Sequence, residues 1–177
     1  MPLSFCLLVN VSGRGFLDRD DFLRIPELAI NPLGDRIVDA FFTETDDTEQ
    51  KINFREFIRV LAHFRPLNKG KENTVNSRDE KLKFAFTMYD LNKNGYITRD
   101  EFKVILNMMV GANITPEQLD SIADRTITEA DLDNDGKISF DEFCRVSFSF
   151  QILSRYFFQY FYSCLYSSNG QHWFNAG

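Results

Sequence analysis

Cysteine and histidine are scarce in this chain, and each shortage removes a class of explanation. Its 177 residues hold three cysteines, Cys6, Cys144 and Cys164, an odd number with no paired metal spacing, so neither a disulfide framework nor a zinc site is expected. A reducing compartment suits such usage. His63 and His172 are the only histidines, and no phosphate-binding glycine loop or nucleophile elbow occurs, so catalysis is not expected. Basic residues are also short, 20 against 26 acidic, which leaves a formal charge of -6 and a pI near 5.0. That balance speaks against nucleic acid and for cations or basic partner helices. Residue 2 is Pro2 rather than glycine, which rules out N-myristoylation of the chain as written. The opening MPLSFCLLVNVS lacks the basic start and small-residue cleavage site of a signal peptide.

What the chain does have is a 44% hydrophobic composition, enough for a real core, and an internal repeat. Residues 90 to 101 read DLNKNGYITRDE and residues 131 to 142 read DLDNDGKISFDE. Both satisfy D-x-[DN]-x-[DN]-G-x5-E at every constrained position, the pattern of a calcium-binding EF-hand loop. Calcium takes six to eight oxygens at about 2.3 to 2.6 Å, so side chains at positions one, three and five turn inward and glycine at six permits the bend. Position seven offers its carbonyl, position nine often acts through water, and the glutamate at twelve closes the shell with both oxygens. The expected ligands are Asp90, Asn92, Asn94, Tyr96, Thr98 and Glu101 in one loop, and Asp131, Asp133, Asp135, Lys137, Ser139 and Glu142 in the other. Ile97 and Ile138 at position eight are expected to pair as short strands over the core. Thr98 and Ser139 each precede their glutamate by three residues, so each also starts a helix as a capping box.

Two weaker repeats lie upstream. NVSGRGFLDRDD (10 to 21) keeps Gly15, Leu17 and Asp21 but puts Arg14 at a ligand position. TDDTEQKINFRE (45 to 56) keeps Ile52, Asn53 and Glu56 but has Gln50 in place of the glycine, although Asp46, Asp47 and Glu49 could hold an ion weakly. Between loops the apolar spacing is helical: Phe22, Ile25 and Leu28; Phe54, Phe57, Ile58, Leu61 and Phe64; Leu82, Ala85, Phe86 and Tyr89; Phe102, Ile105, Leu106 and Met109. Ser77 with Glu80, and Thr115 with Gln118, read as further capping boxes, and Gly111 as a helix stop. The expected fold is all-α, with tandem paired EF-hands (helix-loop-helix) in two lobes and short strand pairs between loops. Its expected division is an N-lobe over 1 to 64 with two degenerate hands, a linker over 65 to 78, a C-lobe over 79 to 145 with two calcium-binding hands, and an aromatic-rich tail over 146 to 177. Most phenylalanines and methionines should be core, with Met88, Met108, Met109, Phe102 and Ile105 as candidates for a groove that takes an amphipathic helix.

RIPELAINPLGDRI (24 to 37), LAHFRP (61 to 66), MMVGANI (108 to 114) and SIADRTITEAD (121 to 131) resemble the calcineurin B homologous proteins, a likeness running from about Gly15 to Phe143. That family has two live C-terminal loops and two degenerate N-terminal ones. The resemblance implies a regulatory cofactor that grips the cytoplasmic juxtamembrane helix of plasma-membrane sodium/proton exchangers and inhibits calcineurin. It also implies a cytoplasmic protein, peripheral at membranes through its partner, with an export-like segment at 104 to 114 that could serve nuclear shuttling. The alternatives are a calcineurin B-type regulatory subunit, which shares PEL and NPL but has four competent loops, and a simple calcium buffer.

Both ends depart from the family: MPLSFCLLV stands where a first helix is expected, and the sequence after Phe143 is unlike its charged ending. Residues 146 to 166 are mostly apolar, but Arg155 near the centre of a span would cost about 2.5 to 3.5 kcal/mol. A splice or gene-model origin of one or both ends is expected, since Val146-Ser147 can be encoded by a splice-donor-like GTGAGT. Ligand charge separates the two strong loops, with acidic Asp90 and Glu101 in the first against Asp131, Asp133, Asp135 and Glu142 in the second. The 131 to 142 loop should therefore bind calcium more tightly. Calorimetry should show Glu142→Gln removing the tighter event and Glu101→Gln the weaker one, and the reverse order would refute this ranking.

Overall fold

The computed structural model describes residues 14–45, 51–63 and 77–145. Its first half runs β1 (Phe16–Leu17), α1 (Arg19–Leu23), α2 (Pro26–Ala29), α3 (Gly34–Glu44), β2 (Ile52–Asn53) and α4 (Phe54–Ala62). The second half runs α5 (Arg78–Tyr89), β3 (Tyr96–Thr98), α6 (Arg99–Val110), a 3-10 turn (Gly111–Asn113), α7 (Pro116–Ala130), β4 (Lys137–Ser139) and α8 (Phe140–Arg145). This is the mostly helical architecture with short antiparallel strand pairs that the repeats predict. The expectations for Asp46, Asp47, Glu49, Gln50, Phe64, both chain ends and most of the linker lie outside the described residues.

Each strand pair joins two loops through their eighth positions. Leu17 pairs with Ile52 and Ile97 with Ile138, both antiparallel, and all four side chains are fully buried. Directly opposed branched side chains on one sheet face stabilise such short pairs, which could not persist alone. Helix starts follow the capping chemistry. Thr98 accepts from the Glu101 amide while Glu101 accepts from the Thr98 amide at 2.9 Å, and Thr115 with Gln118 does the same. Asn53 with Glu56 and Asp18 with Asp21 repeat the arrangement in the first half. Gly111 ends α6 with φ near +55°, a conformation that glycine adopts without steric cost. In the NPLG segment, Asn31 accepts from the Leu33 amide at 2.9 Å, and Gly34 packs so closely that a Cβ would collide with the Leu28 carbonyl oxygen.

One apolar core runs through both pairs of hands. In the first pair Phe22, Phe41 and Phe57 cluster with ring centroids 5.2 to 6.0 Å apart, Phe41 stacked on Phe57 and Phe22 tilted against both. In the second, Phe86 meets Phe140 and Phe143 at 5.6 and 5.5 Å. Helix α5 links them: Phe84 turns toward the first pair, edge-on to Phe41 at 5.8 Å, while Phe86 and Tyr89 serve the second. Arg36 on α3 fastens the junction by donating to the Met88 carbonyl at 3.0 and 3.1 Å.

Packing alters several expectations. Phe54, expected in the apolar stripe of its helix, is 42% exposed, because it occupies the first turn at the outer end of a stripe whose buried members are Phe57, Val60 and Leu61. Of the groove candidates, Met88, Phe102 and Ile105 are buried among the helices, and only Met108 is well exposed. Ser77 accepts from the Glu80 amide at 3.1 Å, but the Glu80 carboxylate faces His63 instead of returning the bond, so this capping box is half made. Among the described residues no helix is long and apolar enough to cross a membrane. Phe84→Ala should cost about 3 to 5 kcal/mol and Phe54→Ala under about 1 kcal/mol in urea unfolding; equal costs would contradict the placement of Phe84 at the junction.

Candidate metal centre

The two strong loops fold as repeats of one hydrogen-bond plan. Asp90 accepts the amides of Asn94 and Gly95 at 3.1 and 2.8 Å, and Asp131 accepts those of Asp135 and Gly136 at 3.1 and 2.7 Å. Asn92 and Asp133 accept the amide two residues on, as do Asn94 and Asp135. Glu101 and Glu142 reach back across their loops, one oxygen to the Asn92 or Leu132 amide, the other to the amide and hydroxyl of Thr98 or Ser139. The same carboxylate thus closes the loop and starts the exit helix. Tyr96 and Lys137 sit in β3 and β4, where their carbonyls belong to the loop and their side chains point outward, Lys137 Nζ lying 5.0 Å from the Tyr96 ring centroid. Glycine at position six takes φ of +84° and +81° at Gly95 and Gly136. Lys93 and Asn134 at position four also adopt positive φ, which the spacing pattern does not specify.

These loops fit calcium by their donors, which are oxygens throughout. One carboxylate oxygen each from Asp131, Asp133 and Glu142 lies within 4.8 Å of the others. Burial and the neighbouring carboxylates of Asp135, Glu142 and Asp131 raise the Asp133 acid above its ordinary value, the signature of a cluster short of positive charge. Burial pushes Glu142 the same way, but hydrogen bonds from Ser139, Leu132 and Asp133 outweigh it and set this acid at about 2. Glu101 is lowered by the corresponding bonds from Thr98, Asn92 and Leu91, against its own burial. Both closing glutamates therefore stand ionised at neutral pH and oriented by the backbone.

The first loop has a different solution. Arg14, its fifth position, donates to Asp18 at 2.8 Å and to Asp21 at 2.9 Å, the ninth and twelfth positions. Arg24 adds a second cation to Asp21 at 3.3 Å. A guanidinium from within the chain thus gathers carboxylates that would otherwise face a metal, and Asp21, almost fully buried, caps α1 as its counterparts cap α6 and α8. The spacing marks Arg14 as a misfit without revealing that it is the counter-ion. In the 45 to 56 loop, Asn53 and Glu56 form the same capping box that Thr98 and Glu101 form in the live loop.

With this geometry established, comparison with known proteins places the chain. The family described as EF-hand domain pair matches residues 79–147. The calcineurin B subunit of Naegleria gruberi is 44% identical over 137 residues, spanning 77% of this chain and 71% of the relative. The calcineurin B subunit of Schizosaccharomyces pombe is 42% identical over 135 residues, 76% and 71% of the two chains. The chain belongs to the calcineurin B-like EF-hand family. Calcium is accordingly its metal, and both relatives bear the name that the motif resemblance placed second, after the exchanger cofactors. In this calcineurin B-like chain Asp18 is held below the ordinary carboxyl value, because the Asp21 amide and the Arg14 guanidinium outweigh its burial. A depressed acid contributes stability above its unfolded pKa and loses it as pH falls through the folded value. Arg14→Gln should raise the Asp18 titration midpoint in carboxyl NMR and move acid unfolding to higher pH; an unmoved midpoint would contradict the counter-ion role.

Proposed function

We propose that this chain is a calcium-loaded regulatory subunit that holds an amphipathic helix of a larger protein, in the first place the catalytic subunit of a calcineurin-type phosphatase. The observation that carries this reading is the pair of relatives named as calcineurin B subunits, aligned over three quarters of the chain. Two calcium ions are assigned to Asp90, Asn92, Asn94, Tyr96, Thr98 and Glu101, and to Asp131, Asp133, Asp135, Lys137, Ser139 and Glu142. Their task is structural and regulatory, since these carboxylates are committed to the metal and to helix starts and none is placed for catalysis. Opening of a hand on calcium exposes a groove of soft apolar side chains. On α6, Met108 is already 41% exposed and Met109 half-buried, and we assign them to the rim of that groove, while Phe102 and Ile105 are buried.

A second reading is the exchanger cofactor that grips a juxtamembrane helix of a sodium/proton exchanger. It is supported by Arg14, which occupies a ligand position of the first loop and pairs with Asp18 and Asp21, in keeping with the degenerate first hand the resemblance implies. Either reading assigns the protein to the cytoplasm, peripheral at membranes where its partner is, with nuclear shuttling a further part of the exchanger reading. A binding assay on the calcium-saturated chain with two peptides, one from each partner helix, separates them. Capture of the phosphatase helix is expected, and capture of the exchanger helix alone would transfer the assignment. A calcium-dependent rise in fluorescence of an apolar-surface dye is expected as well; a flat response with neither helix bound would reduce the protein to a buffer.

A further inference from the structure

A second cluster of ligand-type side chains stands away from the calcium loops, at the junction of the two halves. His63 is the C-cap of α4 and only 6% exposed. Its Nε2 lies 4.0 Å from Glu44 Oε2 at the end of α3, and its Nδ1 lies 3.9 Å from Glu80 Oε2 in the first turn of α5. One imidazole nitrogen and one oxygen from each glutamate all fall within 4.8 Å of one another.

We propose that Glu44, His63 and Glu80 form a third metal site, for a divalent transition ion of zinc type. Charge is the first argument. Two carboxylates converge on one buried imidazole, and a divalent cation is attracted to both.

Donor chemistry is the second argument. One imidazole and two carboxylates are a mixed nitrogen and oxygen set that suits zinc, whereas calcium takes oxygen ligands. A tetrahedral ion about 2.1 Å from each donor needs ligand atoms roughly 3.4 Å apart. The carboxylates stand 4.0 Å from Nε2 and 3.9 Å from Nδ1, so binding at one nitrogen draws the glutamate on the other side toward it. Glu80 is 38% exposed, so the fourth position opens to water. Glu80 is also the residue that leaves its capping box unreturned, its carboxylate facing His63 rather than the Ser77 amide. Cysteine spacing in the sequence argues against zinc, yet these three ligands come from separate helices and share no motif.

Such an ion would tie α3 and α4 of the first pair of hands to α5 of the second. The test uses the full chain saturated with calcium, titrated with zinc chloride against a chromophoric chelator. One zinc per chain is expected in addition to calcium, with a first shell of nitrogen and oxygen in X-ray absorption. Glu80→Gln, at a half-exposed side chain that leaves the fold intact, should weaken zinc by about tenfold or more, and His63→Gln should abolish it. At equal zinc concentration the unfolding temperature should rise more for the parent chain than for Glu80→Gln. Absence of zinc binding, unchanged affinity in Glu80→Gln, or sulfur in the first shell would overturn the proposal.

Discussion

A helix-loop-helix cannot bury its own apolar face, and every other feature of this molecule follows from that constraint. Each loop presents one branched apolar residue at its eighth position, and that residue is shielded only when a second loop lies antiparallel to it. Leu17 against Ile52 and Ile97 against Ile138 are these contacts, all fully buried. They bring the exit helices onto the entry helices and so create the two aromatic clusters around Phe22 and Phe143. A loop therefore has a structural duty whether or not it holds an ion.

That duty explains how the first hand can place an arginine among its ligand positions and still fold. In the live loops the backbone amides orient Asp90, Asp131, Glu101 and Glu142, and the negative charge that gathers there is what a calcium ion answers. In the first loop Arg14 answers it instead, from inside the chain, with two hydrogen bonds of ordinary length. A resident guanidinium stays charged, so these carboxylates have a cationic partner without an ion.

Helix α5 gives the two halves a common fate. Phe84 and Phe86, two residues apart, face opposite clusters, and Arg36 draws the C-terminal carbonyls of α5 toward α3 just before Asp90, the first residue of the first live loop. A helix buried on more than one side does not show a single apolar stripe, which is why helical spacing identifies Leu82, Ala85, Phe86 and Tyr89 but not Phe84. The same crowding places Met88, Phe102 and Ile105 inside, leaving Met108 as the exposed member of the expected groove.

The amino-acid sequence alone determined the loops, their pairing partners, the helix starts at Thr98, Thr115 and Ser139, and the stop at Gly111. These rest on interactions between residues a few positions apart, which spacing records directly. Only the tertiary structure decided that Arg14 sits between Asp18 and Asp21, that α5 is shared by both clusters, and that Glu80 turns from its own cap toward His63. Those contacts depend on chain folding through space, on charges seeking partners across loops and on helices meeting from distant segments, and no local pattern encodes them.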